Sequence, residues 1–124
     1  MVICFPARAE TPPAPLYSDD GFCFVMGEMM EGAKNNAAGI KMDDAFSIKS
    51  VSPDCRKKEV AFTFVTATPS ELFQSSMLNK FFCPEESKNY PEINPYLQAI
   101  IAGWKLSANV TFPDGTTKEM ALCQ

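Results

Sequence analysis

The spacing of the cysteines constrains this chain more than any other feature of its sequence. Of the five cysteines in 124 residues, Cys4 lies in a short apolar stretch at the N-terminus. The others, Cys23, Cys55, Cys83 and Cys123, are spread across the rest of the chain. Without Cys4, four cysteines remain. An even number of cysteines in a small exported domain is typical of a disulfide framework. We therefore predict two disulfides among these four residues, with all three pairings open.

Two other interpretations of these four cysteines are open. Structural zinc sites use pairs of cysteines only a few residues apart, whereas the gaps here are 32, 28 and 40 positions. The sequence therefore disfavours zinc, and we expect no metal and no cofactor. Free buried thiols are the stronger alternative, because cysteines stay reduced in a protein that remains in the cytosol.

The N-terminus favours an exported protein. Residues 1–9 read MVICFPARA, an apolar run followed by the small-x-small pattern of a signal-peptidase site. We interpret residues 1–9 as the remnant of a secretory signal peptide and residues 10–17, which hold three prolines, as an extended leader. An N-terminus without a targeting role is the alternative. The expected location of the mature chain is the periplasm or the extracellular space, where disulfides persist.

Residues 18–124 are expected to fold as one α+β domain that contains three helices. The first should follow the capping residue Ser18, because apolar residues recur three and four positions apart up to Ala33. The second should begin at Thr68, where T-P-S-E combines an N-cap, a proline at the first helical position and a capping-box glutamate. It should end before Pro84, and a short third helix should open at Asn94.

Four segments have the alternating pattern of half-buried strands. They are residues 45–51, 60–66, 104–112 and 117–123. The predicted order is α-β-β-α-α-β-β, with a four-stranded antiparallel sheet and the helices packed on one of its faces. In the third strand, the alternation directs Trp104 and Val110 toward the core.

Charge and hydropathy limit the classes of partner. Eleven Lys and Arg against fifteen Asp and Glu give a net charge of −4, which disfavours nucleic acid and anionic lipid. No apolar run approaches the ~20 residues of a membrane-spanning helix. Residues 56–58 (RKK) form one basic cluster, which we interpret as a solvated turn. We expect the partner to be another protein. The candidate partner-binding residues are acidic side chains of the predicted loops, namely Asp43, Asp44, Glu85, Glu86 and Glu92.

The residue types present exclude several kinds of catalysis. There is no histidine, so neither a Ser-His-Asp triad nor a Cys-His pair can form. The adjacent carboxylates Asp43-Asp44 and Glu85-Glu86 point apart on a regular element, whereas glycoside hydrolysis needs a facing pair. The sequence also lacks a G-x-G-x-x-G or Walker phosphate loop and a C-x-x-C dithiol. We therefore expect a protein that is not an enzyme.

Three hypotheses on function are compatible with these exclusions. The first is an exported, non-enzymatic protein-binding module of the immunity, inhibitor or secretion-accessory type. The second is a carrier of a small apolar ligand, with a pocket between sheet and helices lined by Phe46, Phe62, Phe64 and the methionines. The third is an enzyme whose site contains no histidine and has no recognisable motif.

Overall fold

The computed structural model describes residues 17–90 and 94–123. The signal remnant predicted at residues 1–9 lies outside the described residues, and so does the predicted leader at 10–17 apart from Tyr17. Glu92, one of the candidate partner-binding residues, also lies outside them. These three assignments therefore stay predictions, and the architecture below concerns the described residues.

The described chain contains three α-helices and one five-stranded sheet. The helices are α1 (Asp19–Lys34), α2 (Ser76–Phe82) and α3 (Pro95–Ile101). The strands are β1 (Ile40–Lys41), β2 (Phe46–Asp54), β3 (Glu59–Thr66), β4 (Lys105–Thr111) and β5 (Thr117–Ala121). Short 3-10 turns occupy Ser70–Leu72 and Glu85–Lys88. The prediction of a small α+β domain is confirmed.

The sheet differs from the predicted one in strand number and in one pairing. Its order is β1-β2-β3-β4-β5, and β3 pairs with β4 in parallel while the other neighbours are antiparallel. The prediction of four antiparallel strands is therefore wrong. Parallel neighbours require a crossover, and the segment with α2 and α3 returns the chain to the end of the sheet where β3 began. β1 escaped prediction because two residues are too few to show alternation.

The second helix begins later than its sequence signal indicates. After Thr68 the chain forms only the 3-10 turn Ser70–Leu72, and α2 begins at Ser76. Phe73 lies between them in an extended conformation, and its buried ring packs 5.4 Å from that of Phe112, between centroids. Burial of this ring interrupts the helix, because tertiary packing outweighs local helix propensity.

The other two helix starts are confirmed by their capping hydrogen bonds. The Ser18 hydroxyl accepts from the backbone N–H of Gly21 at 3.0 Å, and the Asn94 side-chain oxygen accepts from that of Tyr96 at 2.9 Å. The Asn94 amide also donates to the carbonyl of Phe82 at 2.7 Å. This second bond joins the start of α3 to the end of α2.

One face of the sheet is buried and the other is open. Val60, Phe62 and Phe64, alternate residues of β3, are at most 1% exposed, whereas Ala61 and Val65 on the opposite face are exposed. Trp104 and Val110 are also buried, as the alternation predicts. Because successive side chains of a strand point to opposite faces, one face of β3 forms the core and its other face remains accessible.

Both predicted disulfides are present, and the structure selects their pairing. Cys23 of α1 is bonded to Cys55 in the β2–β3 turn, and Cys83 after α2 is bonded to Cys123 after β5. Each bond therefore joins a helix, or the end of one, to a turn or end of the sheet. The two alternatives of free thiols and zinc do not apply to these four residues.

The two faces of β4 should respond differently to an introduced charge. Val110→Asp should destabilise the domain by several kcal/mol, because it places an unpaired carboxylate at a fully buried position. Thr111 is the next residue of β4 and points to the open face of the sheet. Thr111→Asp should therefore lower the free energy of unfolding by less than about 1 kcal/mol. Urea unfolding of the two variants measures this difference, and equal costs would mean that the second face is also covered.

Candidate functional site

Four polar side chains meet around the start of α1, and Asp19 of its first turn lies at their centre. One carboxylate oxygen accepts hydrogen bonds from the Tyr17 hydroxyl at 2.8 Å and from the Trp104 indole N–H at 2.9 Å. The other lies 3.0 Å from the Lys58 ammonium. Lys58 also donates to the carbonyl of Ala102 at 2.9 Å. The cluster thus connects α1, the β2–β3 turn and the start of β4.

These contacts shift the pKa values of two groups in opposite directions. The hydrogen bond from Trp104, together with those from Lys58 and Tyr17, lowers the pKa of Asp19 to about 2. Burial, and then the bond to the Asp19 carboxylate, raises the pKa of the Tyr17 hydroxyl above its usual value. A carboxylate that stays ionised and already holds three donors is poorly suited to proton transfer. We conclude that this cluster holds elements together.

The interpretation of residues 56–58 as a solvated turn is wrong for Lys58. Its ammonium binds both Asp19 and the Ala102 carbonyl, and its backbone has a φ of 57°, in the left-handed region. Sequence patterns did not identify this contact, because Lys58 and Asp19 lie 39 positions apart and meet only through the fold.

A surface groove lies beside the Cys83–Cys123 disulfide, and we call it the disulfide groove. Its volume is about 690 Å³. Its lining includes Ser76, Asn79, Lys80, Glu85, Glu86 and Cys123. The Asn79 side-chain oxygen accepts from the backbone N–H of Cys123 at 2.9 Å. Two of the predicted partner-binding residues, Glu85 and Glu86, therefore lie together at one groove.

The other predicted partner-binding residues do not line this groove. The Asp43 carboxylate accepts from the backbone N–H groups of Ala45 and Phe46 at 2.7 and 2.8 Å, so it stabilises the turn before β2. Asp44 is fully exposed, and its carboxylate lies 3.3 Å from the Lys41 ammonium. The acidic candidates are thus split between two parts of the surface, and one of them has a structural role.

The residues predicted to line a ligand pocket between sheet and helices fill that space with their own side chains. Phe46, Phe62 and Phe64 are at most 3% exposed. The ring of Phe62 lies 5.2 Å from that of Phe82, and the ring of Phe46 lies 6.2 Å from that of Phe73, between centroids. Edge and tilted contacts at these distances are typical of a packed aromatic core.

A second, smaller groove opens between α1 and α3, and we call it the helix groove. Its volume is about 280 Å³, and its lining is mainly apolar: Tyr17, Gly21, Val25, Pro95, Tyr96 and Gln98. Sequence analysis missed this groove. The sequence offered no signal for it, because Val25 lies three residues after Phe22 and four before Met29 and so shares the spacing of the core-facing stripe.

Neither of these grooves resembles a metal centre. Within residues 17–90 and 94–123, no group of three or more histidine, cysteine, aspartate or glutamate side chains could hold a metal ion. In the same ranges, no helix combines the length and the apolar character needed to cross a bilayer. Comparisons with protein-family models, with curated proteins and with solved structures find no significant match to this chain.

The Asp19 cluster should make stability depend on acidic pH. Because the pKa of Asp19 is about 2 in the fold and ~3.9 in an unfolded chain, its ionised form stabilises the protein above about pH 4. That contribution is lost as the pH falls toward 2. Asp19→Asn should therefore be less stable than the parent at pH 7, and the gap should narrow toward pH 2.

The measurement is urea unfolding of both proteins at several pH values. Asp20→Asn is the matched control, since Asp20 is an exposed carboxylate in the same helical turn. A gap between Asp19→Asn and the parent that is the same at pH 7 and pH 2.5 would contradict the role assigned to this carboxylate.

Proposed function

We propose that this chain is an exported, non-enzymatic protein-binding module of the immunity, inhibitor or secretion-accessory type. The observation that carries the proposal is the placement of Glu85 and Glu86 together at the disulfide groove. Surface carboxylates beside a groove suit the recognition of a positively charged protein segment. The net charge of −4 adds a long-range attraction to such a partner.

The chemistry of the disulfide groove suits a polypeptide partner. Serine and asparagine side chains in its wall can exchange hydrogen bonds with a peptide backbone. The exposed Lys80 ammonium lies 5.2 Å from the centroid of the Phe81 ring, a cation–π contact within the wall. Phe81, Pro84 and Leu97 give the same wall apolar surface. A mixture of apolar, hydroxyl and charged groups is typical of the rim of a protein interface.

The two disulfides support the proposed export. Disulfides persist in the periplasm and outside the cell, whereas the cytosol keeps most thiols reduced. Cys55 is exposed, so a reducing compartment would have access to the Cys23–Cys55 bond. We therefore propose the periplasm or the extracellular space as the place where the protein acts.

The carrier hypothesis has less support. Its predicted pocket coincides with the packed rings of Phe46, Phe62 and Phe64. The helix groove offers an apolar space of about 280 Å³, which is slightly below the ~300–1,000 Å³ of ordinary ligand sites. A small apolar molecule that purifies with the chain would move the assignment to this second function.

The function can be tested through the two glutamates of the disulfide groove. We expect the parent protein to retain a positively charged partner from the secreted and envelope fractions of its source. The double variant Glu85→Gln/Glu86→Gln should associate with that purified partner several-fold more slowly at low salt, because its electrostatic attraction is weaker. The difference should shrink as salt screens the charges.

Asp44→Asn/Glu119→Gln is the matched control, because it also removes two exposed carboxylates, both of which lie outside the groove. Its association rate should stay within about twofold of the parent rate, as for an ordinary rim charge. Equal rates for the parent and the double variant would contradict the electrostatic mechanism. Capture of no partner at all would contradict the proposed function.

A further inference from the structure

One asparagine on the open face of the sheet is not explained by the fold. Asn109 lies in the interior of β4 and is exposed. Its side chain forms no hydrogen bond with any described residue. Asparagine is depleted in β-strands, because its side chain competes for the hydrogen bonds of the backbone. A residue that is unfavourable in its own strand and has no polar partner there points to a role outside the fold.

The same asparagine begins the motif of N-linked glycosylation. Asn109-Val110-Thr111 is the only Asn-x-Ser/Thr triplet in the sequence, and its middle residue is not proline. A match of three residues is common by chance, so the surroundings of the asparagine carry the argument. Val110 is fully buried, and alternation along the strand therefore directs both Asn109 and Thr111 to the open face.

Short side chains surround Asn109 on this face. Its partners across the sheet are Thr63 of β3 and Glu119 of β5. Its neighbours two positions away along β4 are Ser107 and Thr111. Of these four side chains only that of Glu119 is long, and Glu119 belongs to the edge strand. The Asn109 amide is therefore not screened by larger neighbours, and a sugar has room above it.

A glycan at this position would cover a surface that the chain itself leaves uncovered. After Glu59, the outward residues of β3 are Ala61, Thr63 and Val65, none of which is charged. Val65 is 40% exposed, although it is apolar. Exposed apolar surface favours association between molecules. An N-linked glycan is bulky and solubilising, so it would keep this face in contact with water.

We propose that Asn109 is the acceptor of an N-linked glycan that covers the open face of the sheet. The donor is an oligosaccharide joined through a diphosphate to a polyprenyl lipid. The Asn109 Nδ2 attacks the anomeric carbon of the first sugar, and a C–N bond forms. The bond from that carbon to the diphosphate oxygen breaks, and the lipid diphosphate leaves with the electron pair. The amide nitrogen gives up one proton to a base of the transferase.

This inference rests on the proposed export, because the transfer takes place in a secretory pathway, and it does not depend on protein binding. The helices pack on the other face of the sheet, where the ring of Phe62 contacts that of Phe82 in α2. The lining of the disulfide groove comes mainly from α2 and the segment that follows it. A glycan on Asn109 therefore leaves that groove and its two glutamates accessible.

The test is mass spectrometry of the full chain purified from its source. We expect the peptide that contains Asn109 to carry an oligosaccharide. Treatment with a peptide-N-glycosidase should remove the oligosaccharide and convert Asn109 into aspartate, which locates the modification at this residue. A peptide that contains only unmodified asparagine at this position would overturn the proposal.

Three variants of the full chain, expressed in the same source, test the motif separately from the fold. Asn109→Gln removes the acceptor amide and Thr111→Val removes the hydroxyl group of the motif, so both should lose the whole glycan. Thr111→Ser is the matched control, because it keeps the hydroxyl group and should keep the glycan. Valine has the shape of threonine and favours strands, so Thr111→Val should keep the circular dichroism spectrum of the parent. A glycan that persists in Thr111→Val would contradict the assignment.

Two outcomes distinguish the failure of this inference from the failure of the proposed export. A chain recovered from the periplasm or the medium with both disulfides formed and Asn109 unmodified overturns the glycan, while the proposed export stands. A chain recovered only from the cytosol, with Asn109 unmodified, overturns both.

Discussion

The Asp19 carboxylate joins three parts of the chain that are distant in sequence. Its bonds to Trp104 and Lys58 hold the first turn of α1 against the start of β4 and against the β2–β3 turn. Phe22, one turn further along α1, packs 4.9 Å from the Trp104 ring, between centroids. These contacts fix the position of α1 over the sheet, and the helix groove exists because α1 is held beside α3. A buried indole N–H needs an acceptor, so packing and electrostatics act together at this residue.

The disulfides reinforce the same arrangement from both ends of the domain. Cys23–Cys55 joins α1 to the β2–β3 turn, the two elements that the Asp19–Lys58 pair also joins. Cys83–Cys123 spans α3, β4 and β5 and forms part of the disulfide groove. In the chain-entropy description, closing loops of this length contributes about 4 kcal/mol each. The grooves are thus built on cross-linked elements, which suits surfaces that must keep their shape.

Local patterns in the sequence were sufficient for several features. The apolar spacing after Ser18 predicted α1, the Asn-Pro signal predicted the start of α3, and strict alternation predicted β4 with Trp104 and Val110 inward. The cysteine count predicted two disulfides without their pairing. Of the candidate site, the sequence located Glu85 and Glu86 in a loop, and the structure brings them to the disulfide groove. Each of these features depends on residues close in sequence or on a count.

Features that depend on distant residues were decided by the tertiary structure. The parallel pairing of β3 with β4 follows from the path of the crossover, which no local pattern encodes. Phe73 interrupts the helix signalled at Thr68, because its ring is needed in the core. The Asp19–Lys58 pair and the helix groove arise only where separate elements meet. The sequence therefore determined most of the helices and strands and the number of disulfides that close the fold. Long-range packing decided the short strand β1, the start of α2, the pairing of the strands and the surfaces between the elements.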